Sequence, residues 1–293
     1  MSVGVFDGVH RGHLAILAAN RARATELGAL ATVVTFRGHP KALLLGHAPS
    51  TLTSLEHRLE LFAAAGIDHA VVLDFDAELR AMNADEFTER LLLGALRARA
   101  FVLGFDSKFG HDREGTPEAL AARGLDVEVV PAVLVDGRAV SSTAIREAVS
   151  LGDLAGAERK LGRPITLQGT VVRGDGRGTG LGFPTANLDL DHELTPPNGV
   201  WATRVRLLDE PDRPVLDAVT NIGHRPTVHG DPADGAMAVV EVHILDFDGD
   251  LYGRRAAVEF VAYLRPEQRF GDLDTLKATI AADIRAGRAA LVP

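Results

Sequence analysis

The sequence predicts an α/β domain whose parallel sheet has helices on both faces, followed by a small antiparallel β-barrel with a terminal helix. Two observations carry this. The first half alternates short, almost wholly apolar runs with helical runs rich in Leu, Ala, Glu and Arg. After Leu161-Gly162-Arg163-Pro164 the pattern changes to short alternating stretches separated by Gly, Pro, Asp and Asn. A parallel strand covered on both sides reads as a continuous apolar run, whereas a half-solvated antiparallel strand alternates. The boundary therefore falls there, giving domains 1–163 and 164–293.

In the first domain a short strand, 3–6, precedes a helix over 14–27. Further buried strands are expected at 31–36, 69–75, 100–105 and 127–133, with helices at 54–65, 83–99 and 117–123 between them. In the second, strands are expected at 165–173, 200–208, 215–221, 237–246 and 255–263, with Asp248-Gly249 as a hairpin turn. The chain closes with a helix over 272–286, where Leu273, Leu276, Ile280 and Ile284 form one apolar stripe behind an Asp cap.

Composition bounds the function. The 293 residues, 46% hydrophobic, are enough for two cores. The absence of cysteine excludes disulfides, thiolate nucleophiles and Cys-based metal sites. A net charge of −9 without a basic block argues against nucleic acid as a partner. No long apolar run suggests a membrane span, and the N-terminus does not read as a secretory signal. The expectation is a soluble, cytoplasmic protein acting on small molecules, with weak self-association left open.

Phe6-Asp7-Gly8-Val9-His10-Arg11-Gly12-His13 follows the first strand and opens the first helix. A helix N-terminus offers unpaired N–H groups and a positive partial charge to an anion. Gly12 lets backbone approach a phosphate, and His10 and His13, three residues apart, can donate to it together. Surface or capping histidines explain a bare His-x-Gly-His equally well; a metal site is disfavoured, since no third ligand lies nearby.

A second signal shifts that balance. Ser141-Ser142-Thr143-Ala144-Ile145-Arg146 leads into another helix, with Ser142 or Thr143 as its cap and Glu147 near the capping-box position. Arg146 would then stand in the first turn, where a cation opposes the macrodipole; a bound phosphate explains it better. Together the two motifs resemble the signature pair of the nucleotidylyltransferase superfamily, which implies a Rossmann-type first domain. The run Gly4 to His13 specifically resembles the prokaryotic bifunctional riboflavin kinase/FAD synthetase family. At the same rim of the sheet the loops 35–40 and 104–115 emerge, and Asp106 in the latter is a candidate contact to nucleotide or metal.

The second domain carries its own constellation. Gly174, Gly176, Gly178, Gly180 and Gly182 alternate, matching neither a dinucleotide fingerprint nor a P-loop but suiting a flap that meets a polyphosphate. Thr185 and Asn187 follow on extended chain, side by side, as two hard oxygens for Mg²⁺ and nucleotide. Strand alternation puts Glu241 and His243 on one face and Val240, Val242 and Ile244 on the other. A carboxylate there can activate an alcohol for attack on a γ-phosphoryl, although a solvated strand face is the commoner meaning of such a pattern.

The resemblance extends over this half through Gly-Phe-Pro-Thr-Ala-Asn (182–187), Asn-Ile-Gly-His-Arg-Pro-Thr (221–227), Leu-Tyr-Gly (251–253) and Leu-Arg-Pro-Glu (264–267). It implies phosphorylation of riboflavin to FMN, then adenylylation of FMN to FAD with release of pyrophosphate. Implied substrates and products are ATP, riboflavin, FMN and FAD, with Mg²⁺ as cofactor. His10, His13, Arg146 and Glu241 become the implied catalytic residues. Gly4, Phe6, Gly12, Asp106, Ser142, Thr143, Gly176, Gly178, Gly182, Thr185 and Asn187 would bind nucleotide, and Thr185 and Asn187 the metal. Arg265 and Glu267 would bind flavin. The chain departs from the family at Arg37-Gly38, at Ser107-Lys108, at Thr179-Gly180, and in the few residues before its first strand. The alternatives are a riboflavin kinase with an inactive adenylyltransferase half, and a flavin-binding regulatory protein without catalysis.

Overall fold

The structure is a computed structural model that describes residues 1–38, 49–111, 113–174, 180, 182–190, 194–210, 212, 214–224 and 238–292. Contacts group Met1–Ile145 with Lys160–Gly162 as one unit, and Arg146–Arg159 with Arg163–Pro293 as the other.

In the first unit β1 (Ser2–Val3), β2 (Thr32–Phe36) and β3 (His69–Leu73) pair in parallel, as do β4 (Phe101–Gly104) and β5 (Val127–Val130). Val102 N–H donates to the Met1 carbonyl and the Ser2 hydroxyl to the Val102 carbonyl, so β4 lies beside β1. The resulting order is β3-β2-β1-β4-β5, a doubly wound sheet. Adjacent Val33 and Val34 serve different cores. Val33 packs with Phe6, Val9, Leu17 and Phe62, while Val34 packs with Val3, Phe87, Leu92, Phe101, Leu103 and Leu120.

Several expected elements shift. β1 stops before Phe6, because Phe6 turns to φ +52°. The first helix already starts at Arg11 (Arg11–Glu26). The expected strand 127–133 ends at Val130; Pro131 lacks an N–H, and a hairpin of β6 (Leu134–Val135) and β7 (Arg138–Ala139) follows. Asp136 and Gly137, both at positive φ, form its two-residue turn. The helix expected over 83–99 is a short Ala84–Glu86 turn, capped reciprocally by Asn83 and Glu86, running into a π-helix over Phe87–Ala95. Gly94 permits this wide turn: a Cβ there would stand 2.9 Å from the Glu89 carbonyl oxygen.

The second unit is a closed antiparallel barrel in the order β10 (Gly199–Leu207), β11 (Val215–His224), β12 (Ala238–Ile244), β9 (Ala186–Leu190), β8 (Thr166–Val172) and β13 (Arg255–Arg265). Five of its strands match expected ones: β8, β10, β11, β12 and β13. The sixth, β9, closes the barrel between β8 and β12. Asp248-Gly249 is not a two-residue hairpin; the connection runs over 245–254.

The terminal helix, Leu273–Leu291, is capped by Asp272, which accepts from Thr275 N–H at 2.7 Å. Of the expected stripe, Leu276, Ile280 and Ile284 are half-buried. Leu273 is exposed, and Ile284 packs with Val200, Val219, Leu245 and Leu264. Gly287 brings this helix onto the barrel, since a Cβ would meet the Val219 side chain at 2.6 Å.

Candidate active sites

In the first unit the site is built on a strained turn. Phe6 (φ +52°), Gly8 (+82°) and Val9 (+36°) all leave ordinary backbone space, and for β-branched Val9 this is costly. Asp7 holds the turn. Its buried carboxylate accepts from Leu52 N–H (2.9 Å), Thr53 N–H (3.2 Å) and the Thr53 hydroxyl (3.4 Å). The same Thr53 hydroxyl accepts from Gly8 N–H at 3.1 Å.

The turn delivers His10 as the N-cap of the Arg11–Glu26 helix. Its Nδ1 accepts from His13 N–H at 3.3 Å, which in the neutral ring places the proton on Nε2. The His10 and His13 rings stack at 3.6 Å and 14°. Gly12 keeps this stack uncrowded, since a Cβ would press within 3.2 Å of the His10 ring. Gly4 makes room for the Phe6 ring in the same way, at 3.1 Å. The Phe6 side chain itself is buried between Phe62 and His13, so only its backbone can face a nucleotide.

The hydroxyl run is organised differently from expectation. Ser141, not Ser142 or Thr143, caps the Ser142–Ser150 helix, accepting from Ala144 N–H at 3.2 Å. Glu147 is therefore outside the capping-box position, and Arg146 begins the second turn rather than the first. Ser142 Oγ instead donates to the Asp7 carbonyl at 2.9 Å, tying this helix start to the His10 turn. Thr143 is exposed, and contacts group Arg146 with the second unit. At the end of β4, a Cβ on Gly104 would lie 3.5 Å from Asp106 Oδ1 and 3.1 Å from Ile16 of the first helix. Asp106 thus stands at the carboxyl end of the sheet. In the 35–40 loop Arg37 pairs with Asp74 at 2.8 Å, while His39 and Pro40 lie outside the described residues.

In the barrel the site lies on the strands themselves. Asn187 on β9 pairs in register with Glu241 on β12, and Glu241 with Asn221 on β11. Register partners share a face, so the three side chains form one row across neighbouring strands. Val240, Val242 and Ile244 are buried on the opposite face, as the alternation predicted. Gly174 passes against this row: a Cβ there would stand 2.0 Å from Asn187 Nδ2. Thr185 immediately precedes β9, and His243 holds that segment through a 2.7 Å hydrogen bond between Nδ1 and the Pro184 carbonyl. Gly182 adopts φ +88°; Gly176, Gly178 and the 225–227 part of the Asn-Ile-Gly-His motif lie outside the described residues.

The Glu267 carboxylate rests over Gly223, where a Cβ would be 2.8 Å from its Oε1 and 3.7 Å from Asn221 Nδ2. Arg265 is bound bidentately by Asp283 of the terminal helix, at 2.8 and 2.7 Å, which fixes its guanidinium edge. Among the described residues no group of three or more His, Cys, Asp or Glu side chains could hold a metal.

Sequence reasoning missed Asp7, Thr53 and Asn221 as parts of these sites. An Asp inside a glycine turn is a known backbone-capturing signal, but its partners lie 45 and 46 residues away. Asn221 becomes visible only through barrel register.

Comparison with known proteins gives each half of the chain a family match of its own. The FAD synthetase family pattern matches residues 1–144, and the riboflavin kinase family pattern matches residues 161–291. A bifunctional riboflavin kinase/FMN adenylyltransferase of Pseudomonas fluorescens is 40% identical, covering 100% of this chain and 93% of the relative. One from Haemophilus influenzae is 36% identical over 99% of this chain and 93% of its own length. A crystal structure from Streptococcus pneumoniae, of a protein named as a macrolide-efflux protein, superimposes with a TM-score of 0.84 at 31% identity, covering 98% of this chain and 93% of that one. The chain belongs to the bifunctional riboflavin kinase/FMN adenylyltransferase family.

Proposed function

We propose that the two transferase activities of this family are divided between residues 1–163, which adenylylate FMN with ATP, and residues 164–293, which phosphorylate riboflavin. The observation that carries this is the pair of separate constellations, each lying inside the stretch that matches the corresponding family. One is the His10–His13 stack on a helix N-terminus; the other is the Asn187–Glu241–Asn221 row.

In the first site a phosphate oxygen of FMN attacks the α-phosphorus of ATP, and the bond to the leaving pyrophosphate breaks. No protein nucleophile is needed. His10 through Nε2–H, together with His13, stabilises the charge that develops on the phosphates, as preorganised donors do. Gly4, Phe6 and Gly12 border the nucleotide through backbone, and Asp106 contacts nucleotide or metal. Arg146 with Ser142 and Thr143 holds pyrophosphate.

In the second site Glu241 accepts the proton of the ribityl hydroxyl as that hydroxyl's oxygen attacks the γ-phosphorus of ATP, and the bond from the γ-phosphorus to the leaving ADP breaks. Thr185 and Asn187 present hard oxygen donors, a set that fits Mg²⁺ with its preference for a few protein oxygens plus phosphates. When bound, Mg²⁺ neutralises charge on the transferring phosphates. Gly176, Gly178 and Gly182 border the polyphosphate, while Arg265, fixed by Asp283, and Glu267 border the flavin.

We place this activity in the cytoplasm. Among the described residues no helix is long and apolar enough to cross a membrane. The test is direct: purified chain with riboflavin, ATP and Mg²⁺ should yield FMN and then FAD by chromatography. Neither product would overturn the proposal, and FMN without FAD would confine activity to the barrel.

A further inference from the structure

Beneath the His10 turn lies a charged group that the reaction described above does not use. Arg58, on the Leu55–Ala64 helix, is only 2% exposed. Its Nη1 donates to the Val5 carbonyl at 2.5 Å, to Thr35 Oγ1 at 3.2 Å and to the Phe36 carbonyl at 3.4 Å. The Thr35 hydroxyl donates to the same Val5 carbonyl at 3.1 Å. Val5 leads into the strained Phe6–Val9 turn, and Thr35 and Phe36 end β2. One guanidinium thus grips the ends of both chain segments whose loops open on the site.

A buried cation is an expensive way to fill space. Moving it out of water carries a large desolvation penalty, and an apolar side chain of similar length would pack without it. Burial pulls the Arg58 guanidinium below its ordinary value, while Asp7 and then Glu56 oppose that shift. An arginine nevertheless stays charged at neutral pH. Its Nε is also buried and has no hydrogen-bond partner among the described residues. Packing alone would not select such a group. A fixed positive charge under a turn that must receive polyphosphate, with an Nη1 that holds that turn's entry, accounts for the buried cation.

We propose that Arg58 is a positioning residue for adenylyl transfer: its buried charge and its hydrogen bonds to Val5 and Thr35 hold the His10 turn in its reactive geometry. It touches neither nucleotide nor flavin. The inference rests on the reading of His10 and His13 as the phosphate-stabilising pair, and the test separates the two.

Arg58→Met and Arg58→Lys are compared in the full chain, with FAD formation from supplied FMN and ATP as the readout. Riboflavin phosphorylation by the same molecules serves as the internal control, and circular dichroism fixes a temperature at which each is folded. Arg58→Met should lower kcat for adenylylation by about tenfold or more, with a smaller change in KM for ATP, because geometry rather than a ligand contact is lost. Arg58→Lys, which keeps the charge, should recover to within about threefold of the parent. Should Arg58→Met fail to fold, Thr35→Val removes the hydroxyl shared by Arg58 and Val5 and should produce a loss of the same kind.

Parent-like kcat in folded Arg58→Met, or in Thr35→Val where Arg58→Met does not fold, overturns the proposal. So does equal loss in the Met and Lys variants, which would reduce Arg58 to a spacer. A His10→Ala/His13→Ala variant run alongside reports on the underlying reading. If that variant keeps FAD formation, the histidine reading itself fails; if it loses FAD formation while Arg58→Met keeps it, the positioning role alone fails.

Discussion

The two halves of this chain place their candidate site residues by different means. In the first unit they sit on loops at the carboxyl ends of parallel strands, and buried side chains hold those loops: Asp7 on Leu52 and Thr53, Ser142 on the Asp7 carbonyl, Arg58 on Val5. In the barrel they sit within strands, where the ladder fixes Asn187, Glu241 and Asn221 opposite one another. A loop has no ladder to supply its backbone partners, so side chains must satisfy them. Catalysis and stability are therefore entangled in the first unit and separable in the second.

The largest effect should come from the histidine pair. Replacing His10 and His13 together with Ala should lower FAD formation from FMN by about 10³-fold or more, since preorganised donors to developing charge are lost. FMN formation should survive; parent-like FAD formation in that double variant would falsify the assignment. Glu241→Gln is the barrel counterpart. It keeps size and ladder position, so the fold should hold while riboflavin phosphorylation drops by about 10²–10⁴, the usual worth of a general base. Turnover close to the parent's would return Glu241 to a solvated strand face, and the barrel would lack a named base.

Asp7→Ala sharpens the contrast in stability. It strands buried N–H groups of Leu52 and Thr53, and the first unit should lose about 3 kcal/mol by denaturant unfolding, with the barrel transition unmoved. A barrel transition that moved equally would mean the units do not unfold separately. The smallest effect concerns pH. Hydrogen bonds from the backbone and side chain of Thr275 hold the Asp272 carboxyl below its ordinary value. A depressed carboxylate contributes stability above its unfolded value, and that contribution is lost as pH falls through the folded one. Hydrogen exchange at Thr275 N–H should therefore gain protection through the acid range and level off above it; an unchanged protection factor would discard the cap.

Much of both sites was legible because it is local. His10-Arg11-Gly12-His13 declares a helix start by composition, and the cap that His10 supplies is made within three residues. Glu241 was placed by alternation, which depends only on strand geometry. Legibility failed where neighbours in space decide. In Ser141-Ser142-Thr143 each hydroxyl is able to cap, and Ser142 is drawn off by the Asp7 carbonyl, 135 residues away. The run after Asn83 reads as an ordinary helix until Gly94 admits the Glu89 carbonyl and widens the turn. The apolar stripe of the last helix begins at Leu273 in the sequence, but the barrel meets it lower down, at Ile284 and Gly287.

The sequence by itself determined two architectures, most of their elements in order, the motif residues and the chemistry those residues suit. Periodicity and capping are short-range consequences of side-chain size and backbone geometry. Only the tertiary structure decided that β9 closes the barrel, that Asn221 joins Glu241, and that Asp7 and Arg58 hold the first site from beneath. Each depends on a register or a buried polar contact between distant segments. Such a contact exists only once the fold has excluded water from both partners, and no local pattern encodes it.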